Sequence, residues 1–105
     1  MGLRIIFSKI ALQDLKEIYD YISRDSLYYA RNEKKLIRAA IGKLKLNTLR
    51  GKKFEKSEND LIRELIFRNY RIIYEYTPGI KITILTIHHH ARLISNNPAF
   101  DDDDQ

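Results

Sequence analysis

An α+β domain, β-α-α-β-β-β in chain order, is predicted by three features of the sequence. Apolar residues recur at helical spacing from residue 11 to 44, they alternate with polar ones in segments between 61 and 87, and a charged, turn-rich stretch separates the two regions. A helical hairpin laid on one face of an antiparallel sheet lets both amphipathic sets bury against each other.

The first strand is Leu3–Phe7, ended by Ser8, a residue suited to cap a helix N-terminus. In the helix that follows, Ala11, Leu15, Ile18 and Ile22 recur at the spacing of one buried face, with Asp14, Lys16, Glu17 and Asp20 turned outward. Arg24, Asp25 and Ser26 break the pattern, and Ser26 supplies a second cap. A second helix is expected to run to about Leu46, with Ala30, Ile37, Ala40, Ile41 and Leu44 inward. Its other faces carry Arg31, Lys34, Lys35, Arg38, Lys43 and Lys45. So short a connection makes the two helices double back as an antiparallel hairpin.

Residues 47–60, NTLRGKKFEKSEND, follow neither period and are read as a loop. Three strands come next: LIRELIF (61–67), YRIIYEY (70–76) and KITILTI (81–87). The second and third are joined through Thr77, Pro78, Gly79 and Ile80, and Pro followed by Gly is the central pair favoured in a type II turn. Period two places Tyr70, Ile72, Tyr74 and Tyr76 on the helix-covered side and Arg71, Ile73 and Glu75 on the other. Arg71 then stands on a mixed, partly open face, where it meets either an anionic ligand or a carboxylate such as Glu64 or Glu75.

At 105 residues the chain is long enough for one core. The expected organisation is a single domain over residues 1–96 and an acidic tail, 97–105, expected to be disordered and solvated. The tail also masks the charge of the body. The formal net charge is +5, but without Asp101–Asp104 nineteen lysines and arginines face ten acids, a net +9 over residues 1–100. Such a surface attracts nucleic acid or an acidic protein, and the tail itself is able to fold back on it in place of an acidic partner. There is no cysteine, which excludes disulfides and thiolate metal sites. No apolar run approaches the roughly 18 residues of a membrane helix, and MGLRIIFSKI lacks a leader cleavage site. A cytoplasmic location, no membrane partner and no cofactor are expected.

The stretch ILTIHHHARL (84–93) carries three consecutive histidines. Alternation along a strand points His88 and His90 one way and His89 the other, so the three cannot share one metal ion, and no second cluster completes a site. Proton transfer by His88 and His90 is one reading. The other is that they cap the strand beside Arg92, serving structure or partner contact.

The order of DLKEIYDYI, LIREL, YRIIYEY and ITILTIHHHARL resembles the RelE/ParE superfamily of bacterial type II toxins, over about residues 4–94. The resemblance implies the same helical hairpin on an antiparallel sheet. It also implies a cognate antitoxin as partner, in a toxin-antitoxin hetero-oligomer. Two targets are implied by two branches: RelE-like members cut messenger RNA on the ribosome, and ParE-like members inhibit DNA gyrase. In the first case Arg71 corresponds to a phosphate-binding arginine, and His88, His90 and Arg71 form the expected catalytic set. Ile62 and Glu64, however, stand where that branch places lysines, and no tyrosine follows the last strand in Leu93–Asn97. The stretch His89–Arg92 is similar to the His-x-x-Arg ending of the ParE-like branch, although Leu93 replaces its usual acid. The expected reading is a ParE-like gyrase inhibitor. Its alternatives are a ribosome-dependent ribonuclease and a degenerate toxin that retains only antitoxin binding. The residues expected to contact a partner or nucleic acid are Arg63, Arg71, His89, Arg92, Tyr19 and Tyr28. Arg63, Arg71 and Arg92 are expected to converge near the open sheet face.

Overall fold

The computed structural model describes residues 3–89. Residues 90–96 of the expected domain, with His90 and Arg92, and the acidic tail lie outside the described residues. Strand β1 (Arg4–Phe7) leads into helices α1 (Lys9–Ser23) and α2 (Leu27–Gly42), and four strands follow: β2 (Lys52–Lys53), β3 (Ile62–Phe67), β4 (Tyr70–Thr77) and β5 (Lys81–His89). They form one sheet in the order β1-β5-β4-β3-β2. Its pairs are antiparallel except β1 with β5, which run parallel.

Both helices start where a serine caps them. Ser8 Oγ accepts from the Ala11 N–H at 3.0 Å, and Ser26 Oγ from the Tyr29 N–H at 3.1 Å. The stripe of α1 buries Ala11, Leu15 and Ile18, and that of α2 buries Ala30, Ile37 and Ile41. Helix α2 stops at Gly42, short of the expected Leu46. The chain tightens there into one 3-10 turn, Lys43–Lys45, which keeps Leu44 buried. Glycine's weak helix propensity accounts for the position of the change.

The core is the layer between this hairpin and the sheet. Tyr70, Ile72, Tyr74, Ile82, Ile84 and Ile87 meet the helical stripe there. The turn after β4 has the expected chemistry: the Ile80 N–H donates to the Thr77 carbonyl at 3.0 Å, and Gly79 takes φ +75°, which a glycine adopts without a Cβ penalty.

Two features depart from simple period two. Register steps from Ile73 opposite Thr86 to Tyr74 opposite Ile84, so Leu85 is an extra residue in β5, a β-bulge. The bulge falls where β1 ends, because Phe7 is paired with Ile84. Ser8 fastens that point, donating its hydroxyl to the Leu85 carbonyl at 2.8 Å and its N–H to the Ile84 carbonyl at 3.0 Å. Beyond it, among the described residues, the edge of β5 has no strand partner. Asp14 of α1 fills the gap: its Oδ2 accepts from the Ile87 N–H at 2.9 Å and from the Thr86 hydroxyl at 2.5 Å. Asp14 is therefore half-buried rather than turned to solvent.

The second departure lies in the stretch expected to be a loop, where Lys52 and Lys53 pair with Glu64 and Arg63 as β2. Gly51 makes this approach possible. A Cβ at that position would stand 2.8 Å from the Glu64 carbonyl oxygen. Tyr74 locks the segment, its buried hydroxyl accepting from the Gly51 N–H at 3.0 Å and donating to the Thr48 carbonyl at 2.9 Å.

Candidate interaction site

Strands β3, β4 and β5 set two of the sequence-predicted residues, Arg71 and His88, in one row with Ile66. Ile66 lies opposite Arg71, and Arg71 opposite His88, so the three form one row across the sheet on the face away from the core. Ile66 is 56% exposed, and Arg71 and His88 are exposed. Diagonal to Arg71 on β3 is Glu64, only 7% exposed. Taking a carboxylate out of water is costly unless cations meet it. Two do so here: Arg71 Nε lies 2.5 Å from Glu64 Oε2, and Lys52 Nζ lies 3.7 Å from Oε1. Of the two carboxylates open to Arg71 in the sequence, Glu64 is the partner. Glu75 instead accepts from the Asn59 amide at 3.1 Å.

Arg63 does not join this row. Successive strand residues face opposite sides, so Arg63 lies on the other face from Glu64, opposite Tyr74 and Lys53. Its guanidinium donates to the Asp60 carbonyl at 3.0 Å and the Gly51 carbonyl at 3.2 Å, which ties the β2 segment to β3. The expected convergence of Arg63 with Arg71 is thus corrected by strand alternation, and Arg92 lies outside the described residues.

His88 and His89 separate as alternation requires. The His89 ring packs on Tyr70, with centroids 4.8 Å apart and planes 33° apart, and meets Tyr21 of α1 edge-on at 5.9 Å. Burial pushes the Tyr70 hydroxyl up to about 12, helped by the nearby Glu33 carboxylate and opposed by Arg68. Burial also raises the Tyr74 hydroxyl, although its hydrogen bond with Gly51 works the other way. His89 is therefore part of an aromatic cluster joining the end of β5 to the hairpin. His90 falls outside the described residues.

Tyr19 is half-buried, with the Lys34 ammonium 5.5 Å from its ring centre. Tyr28 is 75% exposed and packs edge-on against exposed Tyr29, centroids 5.7 Å apart. Among the described residues no group of three or more His, Cys, Asp or Glu is placed to hold a metal ion. Among them, too, no helix is long and apolar enough to cross a membrane.

The faces of Arg71, His88 and His89 follow from strand alternation in the sequence, whereas the contacts of Lys52 and Asp14 do not. Lys52 carried no periodic signal, because the strand it occupies is two residues long. Asp14 looked like any outward helix residue, and only the end of β1 gives it an N–H to accept. Chemically, the face offers an arginine whose Nε is held by Glu64, an exposed imidazole and an exposed isoleucine.

The chain matches a family model described as the ParE toxin of the type II toxin-antitoxin system, parDE, over residues 5–94. No curated protein matches the sequence. Among solved structures, it resembles one described as the chromosomal ParDE toxin-antitoxin system from P. aeruginosa, at 21% identity and a TM-score of 0.67 over 84% of this chain and 96% of that one. It also resembles one described as the toxin-antitoxin complex RelBE2 from Mycobacterium tuberculosis, at 18% identity and a TM-score of 0.51 over 85% and 99% of the two chains. These likenesses carry the fold, and the family model spans the hairpin, the sheet and the histidine stretch; the chain belongs to the ParE toxin family of type II toxin-antitoxin systems.

Proposed function

We propose that this ParE-family toxin inhibits DNA gyrase by binding it, without chemistry of its own, and that a cognate antitoxin neutralises it in a hetero-oligomer in the cytoplasm. The observation that carries the gyrase reading is the commitment of Arg71 to Glu64, with Lys52 on the carboxylate's other oxygen. A ribonuclease that directs a ribose 2′-hydroxyl at the adjacent phosphate needs a base, an acid and free cations around the transition state. Here the one arginine on the row already has an anion, and Ile62 and Glu64 stand where the RelE-like branch has lysines. The pairing of His88 opposite Arg71 favours the second reading, a ribonuclease, because an imidazole and a guanidinium share one face. The antitoxin is expected to use the exposed apolar residues of the helices, Leu27, Tyr28 and Tyr29 among them.

The test is supercoiling of relaxed plasmid by gyrase with the purified chain added. Inhibition is expected, and His88→Ala retains it, since no proton transfer is involved. Full supercoiling with the chain in excess over gyrase would overturn the proposal.

A further inference from the structure

One charged surface of the molecule has no part in the sheet-face row. On α2, Arg31, Lys34, Lys35 and Arg38 recur at i, i+3, i+4 and i+7, so all four side chains lie along one side of the helix. With Tyr19 of α1 they line a shallow groove of about 370 Å³ between the two helices. All four cations are exposed. Lys34 lies over the Tyr19 ring, and Arg38 over the Phe7 ring at 5.5 Å. Among the described residues no carboxylate lies within ion-pair distance of any of the four, because the pairs that do form involve Lys16, Lys52, Lys53, Arg68 and Arg71. Four like charges within about two helical turns repel one another, and an anionic occupant relieves that repulsion.

We infer that the groove is the seat of the chain's own acidic segment, Asp101–Asp104. Charge complementarity is the first argument: four consecutive aspartates match four unpaired cations. Reach is the second. Strand β5 ends at His89, whose ring touches Tyr21 of α1, on the side of that helix away from Tyr19. Eleven residues, 90–100, then precede Asp101. Extended, they span up to about 36 Å, whereas the 16 residues of α2 measure only about 24 Å along the axis. The segment is thus longer than the stripe it has to reach. Seated there, it competes with any external acidic segment for the same cations, so the groove is self-occupied at low ionic strength and opens as salt screens the contact.

The absence of cysteine makes the test direct. A nitroxide on Gln105→Cys, in the otherwise intact 15N-labelled chain, reports by paramagnetic broadening which amides the tail approaches. The expected result is loss of amide peak intensity over residues 31–38 in dilute buffer. Intensity returns at about 1 M salt, where the screening length is about 3 Å. It also returns when Asp101–Asp104 are all changed to Asn. Lys34→Glu with Lys35→Glu, both at exposed positions, removes the broadening while the rest of the spectrum keeps its dispersion. Sharp amides over 31–38 in the unmodified charge state would overturn the inference and leave the groove to an external acidic segment. Broadening centred on the Ile66, Arg71 and His88 row, or broadening untouched by the Asn changes, overturns it equally.

Discussion

Arg71 Nε and Glu64 Oε2 lie 2.5 Å apart on neighbouring strands of the sheet, and the carboxylate, not the arginine, is the buried member. Their inequality decides what each contributes. Removing Arg71 strands a buried carboxylate with only Lys52, 3.7 Å away, whereas neutralising Glu64 releases an arginine already in contact with water. Arg71→Ala is expected to cost about 1–3 kcal/mol of stability, toward the lower end because the arginine is half-exposed. Glu64→Gln costs less, and the double variant costs less than Arg71→Ala alone. Urea denaturation of the four proteins checks this; additive losses would show that the two side chains do not interact.

Asp14 closes the edge of β5 where β1 has ended, accepting from Thr86 and Ile87. Asp14→Ala leaves a half-buried backbone N–H without its acceptor, and the expected loss is about 1–3 kcal/mol. Asp14→Asn keeps an acceptor oxygen and is expected to lose less. Thermal denaturation ranks the two, and hydrogen exchange at the Ile87 amide should accelerate in the alanine variant alone. Unchanged exchange there would remove Asp14 from this role.

Tyr74 ties the Gly51 segment to the sheet through two hydrogen bonds on one hydroxyl. Tyr74→Phe keeps the ring and loses both, at a cost of about 1–3 kcal/mol. Gly51→Ala sets a methyl 2.8 Å from the Glu64 carbonyl oxygen, displacing β2 and with it Lys52. Both variants should melt below the wild type. If Gly51→Ala melts with it, the close approach of β2 to β3 is wrong.

In the same direction as Tyr74, Tyr70 contributes to the alkaline limb of stability. Its hydroxyl stands at about 12 against an ordinary 10.0, so the folded state favours the neutral phenol. That stability is fully present below pH 10 and is lost as pH rises toward 12. A shift of this size corresponds to about 2–3 kcal/mol at most. Tyr70→Phe, which cannot ionise, should lose less stability between pH 10 and pH 12 than the wild type does. Denaturant midpoints measured across that range test it, and parallel curves for the two proteins would contradict it.

The hairpin and the three long strands were legible in the sequence because each carries its own period and its own stop signals, Ser8, Ser26 and Pro78-Gly79. Arg71 was legible as far as its face, and its carboxylate partner was narrowed to two residues. What was not legible depends on pairings between distant segments. The parallel contact of β1 with β5 leaves no local mark, and the bulge at Leu85 appears only when β5 is set against β4. The two residues of β2 are too few for any period. Arg63 shows the same limit from the other side: its charge suggested a place beside Arg71, but its neighbour Glu64 took that face, and alternation sent Arg63 to the loop carbonyls. His89 followed the alternation rule and found its aromatic partners on α1 and β4.

On the proposed reading this toxin acts by binding, with Arg71 held by a carboxylate rather than poised on a phosphate. Messenger RNA held on ribosomes, incubated with the same preparation that is added to gyrase and mapped at its ends by primer extension, tests this. Intact RNA alongside inhibited supercoiling is the predicted result. RNA cut by the wild type and spared by both His88→Ala and Arg71→Ala would contradict it and make that row an active site.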